Sequence, residues 1–274
     1  MCKIQKLILT EFKFVLNSSF FYVNNDIIFF KEVVFLDLNK KVAFVTGASI
    51  GLGKGLIEEL SKNGCNVVIG YNNSKEKAEW LKKYIEEKYN VKALSVKCDV
   101  TDENSIKNTI TYIVDNFGKI DIVINNAAYA QDNYIYDKTK EEFMKVLETN
   151  LVGPFLVSKY AYKYMNDGMI VNISSKDAVS TYNDISMDYC ASKAGLNSLT
   201  KTLSLALKNV KVIAVMPGWI DTESIREMNP EFLDSELKRI GQEKLSTVED
   251  VSKQIINIIK DEQIKSGMII ELED

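Results

Sequence analysis

From residue 41 onward, short continuous apolar runs alternate with stretches of helical spacing, and this alternation limits the fold more than any other feature. Residues 41–46 (KVAFVT), 66–69 (NVVI), 91–97, 120–125, 169–174, 210–216 and 267–271 read as strands. Residues 51–63, 74–89, 101–117, 140–165, 187–208 and 247–260 read as helices, with Thr101 or Asp102 as an N-cap and Gly64 and Gly118 as stops. Strands apolar at nearly every position must be covered on both faces, as parallel strands are, and each parallel return needs a crossover helix. The expected fold is therefore α/β: a single doubly wound (Rossmann) domain over residues 38–274, with a seven-stranded parallel sheet and six intervening helices on both faces. Such sheets take ligands beyond the carboxyl ends of their strands, where the strand order reverses.

Residues 1–37, rich in Phe, Ile, Val and Asn, do not continue this pattern and are expected to form an N-terminal extension of unassigned role. No uncharged apolar run reaches the roughly 18 residues of a membrane span, and Glu11 and Lys13 interrupt the stretch a secretory signal would need. The net charge, 34 − 38 = −4, offers no general attraction for nucleic acid or anionic lipid. Cys2, Cys65, Cys98 and Cys190 form no CxxC pair and suggest no disulfide framework, so a cytoplasmic setting is expected. The chain has no histidine, which removes Ser-His-Asp and Cys-His nucleophiles and HExxH zinc sites together; no metal site is expected. Acid–base chemistry is left to Tyr, Lys, Cys or carboxylates.

The first strand runs into Thr46-Gly47-Ala48-Ser49-Ile50-Gly51-Leu52-Gly53. Glycines 47, 51 and 53, between a strand and a helix, let the backbone turn tightly and approach a pyrophosphate at the helix N-terminus. The spacing is Gly-x-x-x-Gly-x-Gly, and no Gly-Lys-Ser/Thr of a P-loop follows. Where the second strand ends, a carboxylate would bind a ribose 2′-hydroxyl and repel a 2′-phosphate. Here the chain reads Ile69-Gly70-Tyr71-Asn72-Asn73-Ser74-Lys75, without an acid and with three potential phosphate donors in Asn72, Ser74 and Lys75. This favours NADP(H) over NAD(H); alternatively, these residues only cap the next helix, with Ser74 at the N-cap.

Tyr189-Cys190-Ala191-Ser192-Lys193 opens a helix, and positions i and i+4 share a face. An ammonium beside a phenol favours phenolate and lowers the tyrosine pKa, which makes the phenol a proton donor and acceptor near neutrality. Asn172-Ile173-Ser174-Ser175 places a hydroxyl at the same carboxyl edge. With these residues the chain resembles the short-chain dehydrogenases/reductases. The resemblance runs from about residue 39 to the end and is most similar to the 3-oxoacyl-[acyl-carrier-protein] reductase group. It is carried, in order, by the glycine turn, Asp99 in Cys98-Asp99-Val100, Asn125-Asn126-Ala127-Ala128, Asn150 in Thr149-Asn150-Leu151, Ile173-Ser174-Ser175, Tyr189-x-x-x-Lys193 and Pro217-Gly218-x-x-x-Thr222.

The resemblance implies an NAD(P)(H)-dependent oxidoreductase that interconverts a ketone and a secondary alcohol. It implies Tyr189 as general acid in reduction, Lys193 as the group that lowers its pKa and holds the nicotinamide ribose, and Ser175 as the partner of the substrate oxygen. Asn150 would position a water that links Lys193 to a proton relay. The implied cofactor contacts are Gly47, Ser49, Ile50, Gly51 and Gly53; Tyr71 and Asn72; Asp99 and Val100; Asn126 and Ala127; Tyr189 and Lys193; and Pro217, Gly218, Ile220 and Thr222. Successive strand residues face opposite ways, and the family's Ile-x-Ser pattern selects Ser175 over Ser174. Cys190 is expected to be a small packed residue. The helix with Lys159-Tyr160 and Lys163-Tyr164 is expected at a homo-oligomer contact, dimer or tetramer, or on a solvated face, and not at nucleic acid.

Three departures stand out. Ala128 replaces the family's frequent glycine, Ile50 replaces the Arg or Lys that often follows the turn's Ser in NADP enzymes, and the tail after the last strand is short and acidic. Substrate choice falls to Tyr129, Tyr182, Met187, Ser175, Tyr189, Trp219 and the segment 219–245, where Trp219, Ile220, Ile225, Met228, Phe232 and Leu233 could form an apolar lid or simply pack on the domain. That segment, with Arg226, Lys238 and Arg239 among many carboxylates, offers little basic surface for an acidic carrier protein. Sugar, polyol and small-ketone substrates stay open, as does a non-catalytic dinucleotide sensor, which would have no need of the Tyr189 relay.

Overall fold

The computed structural model describes residues 36–273 and, ahead of them, two three-residue strands, Phe21–Val23 and Asp26–Ile28, that pair antiparallel. Of the N-terminal extension expected at residues 1–37, residues 1–20, 24–25 and 29–35 lie outside the described residues. Leu36 and Leu38 already belong to the domain: the Leu36 N–H donates to the Lys260 carbonyl at 2.7 Å, and Leu38 is buried.

Seven parallel strands follow: β1 (Val42–Val45), β2 (Asn66–Tyr71), β3 (Ala93–Lys97), β4 (Ile122–Asn125), β5 (Gly168–Ile173), β6 (Val210–Met216) and β7 (Ile269–Glu271). Their order across the sheet is β3-β2-β1-β4-β5-β6-β7. The order reverses between β1 and β4, and a crevice opens beyond the carboxyl ends of those two strands.

Successive β1 residues divide the core. Ala43 and Val45 face helices α1 (Gly51–Lys62), α2 (Lys75–Tyr89) and α9 (Val248–Lys260), together with Val67, Ile69, Ile124 and Val171. Val42 and Phe44 face α3 (Glu103–Phe117) and α5 (Gly153–Ala161), together with Val68, Val123, Ile170 and Val212. This is why the strands read as unbroken apolar runs, and each large side chain so buried stabilises the fold by about 1.5–3 kcal/mol. At the head of α3, Asp102 is the cap that forms, accepting from the Asn104 N–H at 2.9 Å.

The helix expected over 140–165 is divided. α4 (Lys140–Leu147) begins at a capping box formed by Thr139 and Glu142, a π-turn covers Glu148–Val152, α5 follows, and Tyr162–Tyr164 is a 3-10 turn. The reason is Pro154, which has no N–H to give the Asn150 carbonyl four residues back, so a continuous α-helical ladder cannot pass. α6 (Met187–Ala206) is the long helix that carries Tyr189 and Lys193. Beyond β6 the segment left open between an apolar lid and simple packing on the domain holds two helices, α7 (Glu223–Arg226) and α8 (Pro230–Ile240), neither of them among the helices expected from periodicity. Among the described residues, no helix is long and apolar enough to cross a membrane.

Candidate active site

The turn between β1 and α1 is shaped for a phosphate. Gly47 sits at φ +61°, and a Cβ there would stand 2.9 Å from the Ala127 Cα. A Cβ on Gly53 would stand 2.4 Å from the Gly47 carbonyl oxygen. No larger residue fits either place. Ile50, at the N-cap, has no side-chain oxygen to occupy the first amides of α1, and Gly51-Leu52-Gly53 brings no carboxylate. The helix therefore presents its open N–H groups and the positive end of its dipole. Ser49 is buried inside the turn and Ile50 is exposed on it.

Asn126 ties the turn to the end of β4. Its side-chain nitrogen donates to the carbonyls of Thr46 and Gly47 at 2.9 and 3.0 Å, and the Thr46 hydroxyl accepts from the backbone amides of Asn126 and Ala127, both at 3.0 Å. Tyr71 and Val100 are buried at the ends of β2 and β3. Burial works against the Asp99 carboxylate, but hydrogen bonds from Thr101 and Asn72 hold its pKa below the usual range. Asn72, expected to face a phosphate, thus already donates to Asp99; its amide carries two hydrogens, so a second acceptor can still be served. Ser74 is the N-cap residue of α2, but its side chain makes no capping bond among the described residues, so capping does not account for it.

The proposed chemical groups meet in a cleft of about 370 Å³ lined by Asn126, Ser175, Tyr189, Lys193, Pro217, Gly218, Trp219, Ile220 and Thr222, among others. Thr222 closes it onto the glycine turn, its methyl 3.5 Å from where a Gly51 Cβ would stand. Tyr189 hydrogen-bonds to Ser175. The Lys193 ammonium donates to the Ile173 carbonyl at 2.7 Å and lies 5.4 Å from the centre of the Tyr189 ring. The Ser174 hydroxyl donates to the Lys193 carbonyl at 3.3 Å, which commits it to the helix.

One expectation is corrected here. Lys193 was to depress the Tyr189 pKa. Instead burial raises that pKa, the Asp177 carboxylate pushes it the same way, and the bond from Ser175 opposes them. Burial also lowers the Lys193 ammonium to about 8. The ammonium is bonded to a carbonyl rather than to the phenol oxygen, so desolvation governs both groups.

Asn150, buried in the π-turn, grips the cleft wall. Its Oδ1 accepts from the Tyr129 N–H at 2.8 Å, and its Nδ2 donates to the Tyr129 carbonyl at 2.9 Å and to Ser192 Oγ at 3.1 Å. Tyr182, a candidate substrate contact, is exposed and does not line the cleft. Trp219 does line it, and its backbone is pinned by the buried Gln242, which accepts from its N–H at 2.8 Å and donates to its carbonyl at 2.9 Å.

Three residues near the site escaped the sequence reading. Asp177 follows Ser175 in a 3-10 turn, Lys176–Ala178, that folds it back beside the hydroxyl; its position two residues after Ser175 was the available signal. Lys138 and Asp188 form an ion pair at 2.9 Å with side chains 3% and 0% exposed, binding the wall loop to the head of α6. The adjacency of Asp188 to Tyr189 was the sign to follow. Cys65, Cys98 and Cys190 are buried free thiols; burial pushes Cys65 up to about 12 and Cys98 up to about 11, so both are held as unreactive thiols. A larger concavity, about 530 Å³, lies at the amino ends of β4, β5 and β6. Its Asp121 is occupied structurally, accepting from the Val42 N–H at 2.8 Å and pairing with Lys119.

A dinucleotide cleft with a Ser-Tyr-Lys set defines a class of redox protein, and the comparisons agree. The chain belongs to the short-chain dehydrogenase family: the family model described as short chain dehydrogenase matches residues 41–232. It is 32% identical over 239 residues to the 3-oxoacyl-[acyl-carrier-protein] reductase FabG of Buchnera aphidicola subsp. Baizongia pistaciae, covering 85% of this chain and 96% of that one. It is 35% identical over 193 residues to an uncharacterized oxidoreductase of Thermotoga maritima, covering 68% and 73%. Among solved structures, a dehydrogenase/reductase from Sinorhizobium meliloti 1021 superposes with a TM-score of 0.81 at 26% identity, covering 86% of this chain and 94% of that one. A short chain dehydrogenase from Burkholderia cenocepacia J2315 in complex with NADP gives 0.80 at 28%, covering 87% and 98%. The protein is an NAD(P)-linked oxidoreductase acting on CH–OH and carbonyl groups.

Proposed function

We propose that this protein uses NADP(H), in preference to NAD(H), to interconvert a ketone and a secondary alcohol, with Ser175, Tyr189 and Lys193 as its acid–base set. The observation that carries this reading is their convergence, with the glycine turn, on one cleft. The open N-terminus of α1, with Gly47 and Gly53 allowing close approach, fits a pyrophosphate, and Ser74 and Lys75 at the end of β2 fit a 2′-phosphate. When bound there, the nicotinamide would supply or take the hydride. Ser175 donates to the substrate oxygen and fixes its position. Tyr189, kept protonated by its surroundings, delivers a proton to that oxygen in reduction. Lys193 holds the ribose hydroxyls.

Among ketones, 3-oxoacyl thioesters come first, because the named FabG relatives act as 3-oxoacyl-[acyl-carrier-protein] reductases and Trp219, Ile225, Met228 and Phe232 give the cleft an apolar side. Acetoacetyl-coenzyme A and a panel of simple ketones, followed by NADPH absorbance, test the reaction. Tyr189→Phe is expected to lower kcat by about 10²- to 10⁴-fold while NADPH still binds. Undiminished turnover in that variant removes Tyr189 from the mechanism. Absence of turnover with intact NADPH binding leaves a dinucleotide sensor.

A further inference from the structure

The cleft is apolar on one side and charged on the other, with two carboxylates against two ammonium groups. Four carboxylates and ammonium groups line it: Asp132, Lys176, Asp177 and Lys193. Lys193 faces the Ile173 carbonyl, and Lys176 lies 3.6 Å from Glu271, on β7. Asp132 stands at the mouth, accepting from the Ser186 hydroxyl. Asp177 stands beside Ser175.

Its Oδ2 lies 3.3 Å from Ser175 Oγ, and its own N–H donates to that oxygen at 3.1 Å. Its Oδ1 accepts from the Thr181 hydroxyl at 2.6 Å. The nearest guanidinium, Arg239, is 3.9 Å away and engaged elsewhere: it pairs with Glu236 at 2.7 Å and donates to the Thr181 and Tyr182 carbonyls at 2.7 and 2.8 Å. Arg239 lies closer to Glu236 than to Asp177, and the Asp177 carboxylate stands one hydrogen bond away from the hydroxyl that would hold the carbonyl. That charge is felt at the reaction centre, where it raises the Tyr189 pKa.

We propose that Asp177 is a specificity-determining residue: its carboxylate makes the cleft take neutral and cationic ketones, such as thioesters and amino ketones, and reject ketones that carry a carboxylate near the carbonyl. This rests on the ketone-reduction reading above and adds to it the charge class of the substrate. At this range, in a partly dry cleft, like charge costs far more than at an open surface. A free oxo acid brings its carboxylate against Asp177, whereas the corresponding thioester or amine does not.

Three ketones of one shape isolate the effect: 4-(dimethylamino)butan-2-one, 5-methylhexan-2-one and 4-oxopentanoate. Their kcat/KM with NADPH, and their Kd in the dead-end complex with NADP⁺ by calorimetry, are measured in the wild type, in Asp177→Asn and in Asp177→Ser. In the wild type the carboxylate is expected to fall below the neutral ketone by at least about tenfold, with the amine at or above it. Either substitution is expected to shrink that gap by about tenfold and to weaken the amine. A wild-type carboxylate equal to the neutral ketone, or ratios unchanged in a folded variant, overturns the proposal. Turnover of all three without ranking defeats this inference alone. Ranked binding without any turnover defeats the ketone-reduction reading and leaves this one standing.

Discussion

In the proposed reaction Tyr189 acts as an acid, and its environment suits that role: burial and the Asp177 charge both hold the proton on the phenol. Lys193 is moved in the opposite sense, down to about 8, because burial disfavours its ammonium. Below that pH the charge that orients the ribose is present; above it the charge is lost while Tyr189 is still protonated. kcat/KM for NADPH, which reports the free enzyme, is therefore expected to hold between about pH 6 and 7.5 and to fall above about pH 8. A flat profile to pH 10 would separate Lys193 from cofactor capture. The proposed 2′-phosphate contact is Lys75, at the first position of α2 behind Ser74. Lys75→Glu sets a carboxylate where a 2′-phosphate would lie, and calorimetry is expected to show NADPH loosened by about tenfold or more with NADH little changed. Equal loss for both dinucleotides would place Lys75 elsewhere. The glycine turn, Ser175, Tyr189 and Lys193 were legible in the sequence because each is defined by neighbours within a few residues. The pKa of Tyr189 was not, since it depends on a carboxylate folded back by a turn and on a depth of burial that no spacing encodes.

At the scale of elements, the wall loop and the catalytic helix form one unit. The Asn133 N–H donates to the Ile185 carbonyl at 2.9 Å, Ser186 reaches Asp132, and Lys138 is held by both the Gln131 carbonyl and Asp188. The loop between β4 and α4 is thus stitched to the segment leading into α6, one residue from Tyr189. Lys138→Met would leave Asp188 as an unpaired charge in the interior, a change that costs about 3–5 kcal/mol. Thermal unfolding should report it, and Asp188→Asn in the same chain should recover much of the loss, because the orphaned charge goes with it. If the double variant is as unstable as Lys138→Met alone, packing and not charge holds the strap. This pair spans 50 residues, and nothing along the chain joins them. The break at the π-turn was legible in principle, as Gly153-Pro154 stands in the middle of residues 140–165, but apolar spacing on both sides carried the reading through it. Periodicity describes which face is buried; it is blind to one missing N–H.

Over the whole molecule, strand identity was legible because both sheet faces are covered: Val42-Ala43-Phe44-Val45 alternates between two cores and has no polar position to interrupt it. The same burial leaves a visible exception on the outside. Met144, Val152 and Phe155, along the path from α4 through the π-turn into α5, are each about 40% exposed. Single exposed apolar residues are ordinary, but several along one helix pair make a stripe that is a candidate contact surface. The family resemblance leaves this helix at a homo-oligomer contact or on a solvated face; at a contact, a second copy would bring the same stripe against itself across a two-fold axis. Phe155→Glu should then oppose two carboxylates at the axis while leaving both cores intact, since the side chain contributes to neither. Sedimentation equilibrium is expected to show the wild type as a dimer or tetramer and the variant shifted toward monomer by about tenfold or more in dissociation constant. An identical mass distribution for the two proteins would move the contact to another face. Retention of NADPH binding in the monomeric variant would show that each cleft binds the cofactor within one chain.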